Sequence, residues 1–582
     1  MATSLIQIEE KHPEVKNLVW LNSPILLDHF PFPGIRAAQE QILQAAERLV
    51  AENKKFLIVE APTGVGKSGI AMALASWAKT LPLKNPLTQS GAYILSPQKT
   101  LTKQYMNDFE DNGLVELKGK SNYYCATHDT DCDSAAIINN SSKEGDNRSC
   151  CEQCPYKDAK KKFIDNPLGV TNFAFYLNET QYAGQLKNRK MLILDEGHNT
   201  ESQILGFADT VIKRHRTEEI GLGRVPTFKP GENMKCKQWL QTTFVPTAQQ
   251  FMTDLTNQIA EAKLNDAPRE ALMKLVKKLD SWDKFICRLN RFLNSDDLTN
   301  WLCFTTEPNR GEEAELYIKP LTATMFADEI LFNKAEIVVI MSATILDFGF
   351  FMRNLGINPQ DAITLAVDCD FPIANRPVFV RPQGSMAASI DKESISEDYP
   401  RGRRKRDITM PKMLAFVEKI MDKYEGRKGI IHTHSYEFTK QIIAHLQDTK
   451  HAGRIVTHSG DVGSRDAAVV EHMTREDDTV LISPSMTEGL DLREDLGRFC
   501  VIIKVPYPYI DPYVDARMKR DSDWYAYCTL LTIVQSTGRV VRSKTDKAHC
   551  YILDSDFETL IRRAGRMLPR WWSSALMYKG VQ

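Results

Sequence analysis

The chain contains no run of about 18 apolar residues, so no membrane-spanning helix is expected. Its opening residues, MATSLIQIEEKHPEVK, lack a basic segment followed by an apolar core. A secretory leader is therefore not expected, and the protein is read as intracellular and not secreted. An excess of one charge is missing too: 74 Lys and Arg stand against 75 Asp and Glu, for a net charge of -1. The surface is thus not globally basic, and any polyanionic partner would have to sit in a local basic groove. No internal repeat is found. With 42% hydrophobic and 26% charged residues, neither wholesale disorder nor a collagen-like chain fits.

The 582 residues suggest about four structural units, at roughly 150 residues each. Short apolar runs recur at Phe56–Val59, Tyr93–Leu95, Met191–Leu194, Ile337–Met341, Gly429–His432, Thr479–Ile482, Cys500–Val505 and Cys550–Leu553. Each has the length of a buried strand, and helical stretches separate most of them, which predicts an α/β fold with parallel sheets. The runs fall into an early and a late group, so two sheets are expected.

Two regions break this rhythm. Residues 118–165 are polar and cysteine-rich with no clear strand, and residues 205–315 look largely helical. In the second region Leu272, Leu275, Val276, Leu279, Trp282, Phe285, Ile286, Leu289 and Phe292 recur at three- and four-residue steps. That is the packing face of a long amphipathic helix, with Pro268 suited to its first turn. The basic stretch RGRRKRD (Arg401, Arg403, Arg404, Lys405, Arg406) is read as a solvated loop, with phosphate contact the sharper alternative.

The strand FLIVE runs into Ala61, Pro62, Thr63, Gly64, Val65, Gly66, Lys67 and Ser68, then into an Ala-rich helix. This is a phosphate-binding loop in which Ala61 holds the first glycine position. Backbone N–H groups would close around phosphate oxygens at the helix N-terminus, Lys67 would reach the β- and γ-phosphates, and Ser68 would ligate Mg²⁺. The run MLILDEGHN ends a buried strand in two adjacent carboxylates. Asp195 would hold the Mg²⁺ of a bound nucleotide, and Glu196 would orient or deprotonate the attacking water.

With these residues on the page, the sequence resembles the XPD/DinG family of superfamily 2 helicases, over almost its whole length. Motif I is Ala61–Ser68; motif Ia resembles YILSPQKTLTKQY; motif II is Asp195-Glu-Gly-His198. Motif III resembles Ser342-Ala343-Thr344, motif IV GIIHTHSY, and motif V the segment around Thr487, Glu488, Gly489 and Asp491. Motif VI is Gln535-Ser-Thr-Gly-Arg-Val-Val-Arg542. The resemblance implies that Gln535, Arg539 and Arg542 act on the nucleotide from a second motor domain, the arginines as fingers on the γ-phosphate. Arg36 and Gln39 resemble the family's R-x-x-Q element, which makes Gln39 a nucleotide-site candidate. Gly489 and Asp491 are further candidates.

Five of the 12 cysteines, Cys125, Cys132, Cys150, Cys151 and Cys154, fall between residues 125 and 154. In a reducing compartment such clustering points to metal ligation. Spacing alone would suit zinc; the resemblance implies a 4Fe–4S cluster. Cys125, Cys132, Cys151 and Cys154 are the expected ligands, with Cys150 the alternative to Cys151. Nearby Lys118, Lys120, Lys160, Lys161 and Lys162 are candidate phosphate contacts, and Tyr123, Tyr124, Phe173 and Tyr176 candidate stacking residues, each with core packing or solvation as the simpler reading.

The expected architecture is two RecA-like motors carrying two inserts. Motor 1 would comprise 1–117, 166–204 and 316–360, interrupted by an iron–sulfur domain at 118–165 and a helical Arch-like domain at 205–315. Motor 2 would span 361–582. No nuclease domain is expected ahead of motif I. The implied activity is ATP- and Mg²⁺-dependent 5′→3′ movement on single-stranded or forked DNA by a cytoplasmic or nucleoid-associated monomer. An RNA or RNA–DNA helicase and a non-unwinding remodelling ATPase are the rival readings.

Overall fold

The computed structural model describes residues 28–141, 154–265, 267–306, 313–395, 399, 401–486 and 492–578. The expected ligands Cys150 and Cys151 and the motif V residues Gly489 and Asp491 lie outside them.

Two all-parallel seven-stranded sheets form the molecule's frame. The first contains β1 (Phe56–Glu60), β2 (Gln89–Ser96), β3 (Val115–Glu116), β4 (Leu168–Asn172), β5 (Arg189–Asp195), β6 (Ala335–Ser342) and β7 (Ala362–Ala366), in spatial order β7-β1-β6-β5-β2-β4-β3. The second contains β8 (Val378–Gly384), β9 (Gly429–His432), β10 (Ile455–Val456), β11 (Val480–Ser483), β12 (Phe499–Ile502), β13 (His549–Asp554) and β14 (Leu576–Met577), in order β10-β11-β9-β12-β13-β8-β14. All eight apolar runs of the sequence coincide with strands, although the strand at Thr479–Ile482 begins at Val480 and that at Cys500–Val505 ends at Ile502. The period of two explains how one strand serves two cores: Phe56 and Ile58 enter one, Leu57 and Val59 the other. Ile430 and Ile431 divide in the same way in the second sheet. The first sheet takes in Ala362–Ala366, which pairs with β1, so it runs past the boundary expected at residue 360.

The described parts of the cysteine-rich region hold regular elements that its polarity does not suggest. A small hairpin pairs Tyr124–Cys125 with Thr130–Asp131, and helices span Cys132–Ser141 and Pro155–Asp165. The second insert is built on helices Val245–Leu264 and Arg269–Leu293, but it is not helical throughout. A three-stranded antiparallel sheet joins Thr210–Ile212, Leu316–Pro320 and Trp301–Thr305. Alternating burial along Leu316–Pro320 is what a half-covered strand requires. The predicted stripe is the buried face of Arg269–Leu293: Leu272, Trp282, Phe285, Ile286, Leu289 and Phe292 are inside. Pro268 caps that helix, one residue ahead of its first turn. The two inserts touch where Lys277 donates to Ser134 at 3.3 Å.

RGRRKRD is not a plain loop. Arg403–Arg404 pairs with Ile390–Asp391, and a helix begins at Lys405. No helix among the described residues is long and apolar enough to cross a membrane.

Candidate active site

The phosphate-binding loop turns on two glycines with positive φ, Gly64 at +83° and Gly66 at +87°. Gly66 caps the helix Lys67–Trp77. The glycines serve approach as well as conformation. A Cβ on Gly66 would lie 2.6 Å from the Gln39 Nε2, and one on Gly64 would strike the Phe371 ring and the Arg542 carbonyl of the second motor. Ala61 needs no such freedom. It is fully buried, and its N–H donates to the Ser342 carbonyl at 2.8 Å. That is why alanine serves where the usual pattern has glycine.

Arg36 and Gln39 strap the loop from outside. The Gln39 Nε2 donates to the Val65 carbonyl at 2.9 Å, and the Arg36 Nη1 to the Gly64 carbonyl at 2.6 Å. The Arg36 backbone N–H donates to the Gln39 Oε1 at 2.9 Å. The Lys67 Nζ folds back to the Ala61 carbonyl at 3.1 Å.

Asp195 and Glu196 end the central strand Arg189–Asp195, and Glu196 adopts φ +48°. The Asp195 Oδ2 accepts from the Tyr105 hydroxyl at 2.9 Å, and its Oδ1 from the Glu196 N–H at 2.9 Å. Burial, then the adjacent Glu196 charge, push the Asp195 carboxyl up. Burial pushes Glu196 up as well, but Lys67, His198, Arg539 and Arg542 outweigh it and hold that carboxyl below its ordinary value. Two neighbouring acids are thus driven apart, the pattern that lets them take different tasks. A divalent cation at Asp195 would relieve its penalty.

Thr63, Gly64, Gly66, Lys67, Ser68, Asp195 and Glu196 line one cleft together with Arg542 from the second motor. An adjoining recess brings Glu196, His198 and Thr344 to Gln535 and Arg539. The Gln535 Nε2 lies 3.5 Å from the Thr344 Oγ1, and the His198 Nδ1 lies 2.8 Å from the Ser342 Oγ. Motifs separated by hundreds of residues therefore meet around this cleft and the recess beside it. Pro62 and Val65 shape the loop, but neither lines this cleft.

Three residues were given no role from the sequence, although Tyr105 closes the motif Ia segment and Glu60 the strand FLIVE. Tyr105 lies on the buried side of helix Lys99–Phe109 with Thr102 and Phe109, at helical spacing. Glu60 is a carboxylate closing a wholly buried strand. Arg517 bridges the motors through Glu201.

Cys125, Cys132 and Cys154 share one apolar nest with Tyr156. Burial first, then the neighbouring Cys154 and Cys125, push the Cys132 thiol up to about 11. Among the described residues no set of three or more His, Cys, Asp or Glu side chains is spaced to hold a metal ion. Of the candidate nucleic-acid contacts, Phe173 and Tyr176 are core residues beneath the first sheet. Lys160 is spent on a buried pair with Glu179, and Lys118 pairs with Glu116 at 2.9 Å. Tyr124 is exposed, while Lys120, Lys161 and Lys162 face solvent.

Comparison with known proteins agrees with this geometry. The model described as "Helicase C-terminal domain" matches residues 417–575, and "Type III restriction enzyme, res subunit" matches 33–225. The ATP-dependent DNA helicase YoaA of Haemophilus influenzae is 22% identical across 93% of this chain and 94% of its own. The protein named 3′-5′ exonuclease DinG of Bacillus subtilis is 22% identical across 90% of this chain and 69% of its own. A solved XPD helicase shares the fold with a TM-score of 0.59 at 15% identity, over 94% of this chain and all of that one. The chain belongs to the XPD/DinG family of superfamily 2 helicases and is an ATP-hydrolysing motor enzyme.

Proposed function

We propose that this motor separates DNA strands, moving 5′→3′ along a single strand and opening duplex or forked DNA in repair, replication or recombination. The observation that carries the reading is that Lys67, Asp195 and Glu196 meet Arg542 in one inter-motor cleft, while Glu196 also meets Arg539 and Gln535 in the recess beside it. A nucleotide there is held from both sides, so its hydrolysis changes what binds the motors together. The relatives named as DNA helicases support DNA as the track.

In this reading the loop Ala61–Ser68 cradles the phosphates, Lys67 neutralises them, and Ser68 with Asp195 holds Mg²⁺. Glu196 orients water, and Arg539 and Arg542 stabilise the transferring phosphoryl group. Gln39 holds the loop through Val65. Gly489 and Asp491 complete the nucleotide site from motif V.

Residues 118–165 form the iron–sulfur domain and 205–315 the Arch-like domain. Cys125, Cys132, Cys154 and Cys151, with Cys150 the alternative, hold a 4Fe–4S cluster. Three buried thiols in one nest support this, since thiols so placed gain from sharing a cation. Once bound, the cluster would tie the hairpin to both flanking helices. Iron and acid-labile sulfide in anaerobically purified protein test it; zinc in their place overturns it.

Strand separation is tested on duplexes with a 5′ or a 3′ tail, beside a Lys67→Ala control. Opening of the 5′-tailed duplex alone, absent in the control, is expected. Strand-stimulated hydrolysis with no opening would instead mark a remodelling ATPase, and stimulation by RNA alone an RNA motor.

A further inference from the structure

The second motor meets the first at a place set apart from the nucleotide cleft, along the helix Pro512–Arg520. Asp511 caps this helix, accepting the Val514 N–H at 2.7 Å. Tyr513, Arg517 and Arg520 follow at i, i+4 and i+7, so they share one face. Arg517 is 2% exposed, and its guanidinium donates to the Glu201 carboxylate at 2.9 Å and to the Asn354 Oδ1 at 3.3 Å. The Trp524 ring packs over it at 4.8 Å.

The partners are specific in position. Glu201 lies in helix Thr200–Ala208, which begins two residues after His198 of motif II. Asn354 lies in helix Phe348–Leu355, a few residues beyond Thr344 of motif III. One arginine of the second motor thus grips the elements that follow two nucleotide motifs of the first. The same helix also reaches the second insert. The Tyr513 hydroxyl donates to the Pro320 carbonyl at 3.3 Å, and its ring packs with Leu302, Phe304 and Leu321. The Arg520 Nη1 donates to the Thr299 carbonyl at 3.1 Å.

A buried ion pair is weak evidence for stability, because desolvation offsets most of the attraction; its best-attested use is to fix one register between packed parts. The Arg517–Glu201 pair fits that use. The planar fork satisfies a carboxylate on one helix and an amide on another at once, so it is sensitive to how those helices are placed. The insert's sheet, held by Tyr513 and Arg520, follows that register as a packed body.

We propose that the helix Pro512–Arg520 is the transmission element of this motor: Arg517 is a positioning residue that ties the second motor to the helices after motifs II and III, and Tyr513 carries the resulting movement to the insert. This rests on the strand-separating activity proposed above and adds how hydrolysis is linked to it. It requires two discrete arrangements of these contacts, which makes it testable by coupling and not by activity alone.

The full-length protein is compared with Arg517→Ala, Arg517→Lys, Glu201→Gln and Tyr513→Ala. Two ratios are read: base pairs opened per ATP hydrolysed, and the change in energy transfer between dyes on two exposed residues when a non-hydrolysable ATP analogue is added. One dye is placed at Met234 of the insert and one at Val470 of the second motor, through unnatural amino acids. Expected are hydrolysis within about threefold of wild type, at least a tenfold loss of base pairs opened per ATP in Arg517→Ala and Tyr513→Ala, and loss of the energy-transfer change in both. Arg517→Lys should fall between, since an ammonium reaches Glu201 without the fork. Should Arg517→Ala not fold, Glu201→Gln and Tyr513→Ala carry the test. Opening and hydrolysis falling in parallel, with the ratio unchanged, would show packing alone and overturn the proposal. An energy transfer in wild type that does not respond to nucleotide also overturns it. Wild-type protein that responds but opens no duplex refutes the strand-separating function; the transmission then stands if Arg517→Ala and Tyr513→Ala lose the response, and is overturned if they keep it.

Discussion

The carboxylate of Glu60 accepts the backbone N–H of Leu346 at 2.6 Å, and the same oxygen accepts that of Ile345 at 2.8 Å. The strand leading into the phosphate loop is thereby fastened to the segment after Ser342-Ala343-Thr344, where Leu346 is held at φ +65°. Burial pushes the Glu60 carboxyl from its ordinary 4.5 up to about 7, against the opposing effect of those two bonds. A carboxyl raised on folding favours the folded state below its unfolded pKa. That contribution is lost as pH rises through the folded value. Wild-type protein should lose stability from about pH 5 to about pH 8, by on the order of 2–3 kcal/mol from this group. Glu60→Gln mimics the protonated acid and should not show this component. Melting curves across the range decide it: parallel pH dependence in both proteins would remove Glu60 as the cause.

Gln39 is spent on the loop's own carbonyl, so its effect on nucleotide should pass through loop shape. Gln39→Ala removes the bonds to Val65 and to the Arg36 N–H. At about 1 kcal/mol each, the expected result is a roughly 5- to 30-fold rise in KM for ATP with a smaller change in kcat. Gln39→Glu should do no better, because its oxygen would face the Val65 carbonyl without a proton between them. A fall in kcat with KM unchanged would count against the positioning role.

The frame was legible because strands buried on both faces must be almost wholly apolar, and eight such runs stand out. Four of the six sheet strands that escaped have physical excuses; Leu168–Asn172 and Ala362–Ala366 do not. Val115–Glu116, Ile455–Val456 and Leu576–Met577 are two-residue strands at sheet edges, too short to show a pattern and well suited to blunting an edge. Val378–Gly384 is apolar only in its first half. In the site, each motif is local in sequence and could be read, but the bonds that tune it are not. Tyr105 meets Asp195 across 90 residues and Arg517 meets Glu201 across 316, and no local spacing encodes either meeting.

The Tyr105 hydroxyl is one of the influences that lower the Asp195 pKa against burial. Tyr105→Phe removes that hydrogen bond and leaves the ring in place. A bond to a charged acceptor is worth about 1.5–3 kcal/mol, so without it Asp195 should be pushed further up. In its proposed role Asp195 must be ionised to hold Mg²⁺, so the acid limb of the ATPase profile should move to higher pH. Rate against pH at limiting Mg²⁺ shows this directly, and an unmoved limb would mean that the hydroxyl only packs.

Glu196 gives the sharpest division between holding the nucleotide and cleaving it. Its carboxyl stays below its ordinary value because Lys67, His198, Arg539 and Arg542 converge on it. At neutral pH it is therefore ionised, and its value as a proton acceptor comes from position more than from a matched pKa. Glu196→Gln keeps the shape and removes the charge that those cations surround. Two consequences oppose each other. Loss of a negative charge beside the triphosphate should leave ATP binding unchanged or tighter, while loss of the group that orients water should lower kcat by about 10²–10⁴-fold. Asp195→Asn should differ, because it removes the proposed Mg²⁺ ligand and should weaken binding and turnover together. Equilibrium binding of ATP beside single-turnover hydrolysis separates the two variants. If Glu196→Gln lost affinity as Asp195→Asn does, the carboxylates would share one task and the opposite shifts of their pKa values would have no functional meaning.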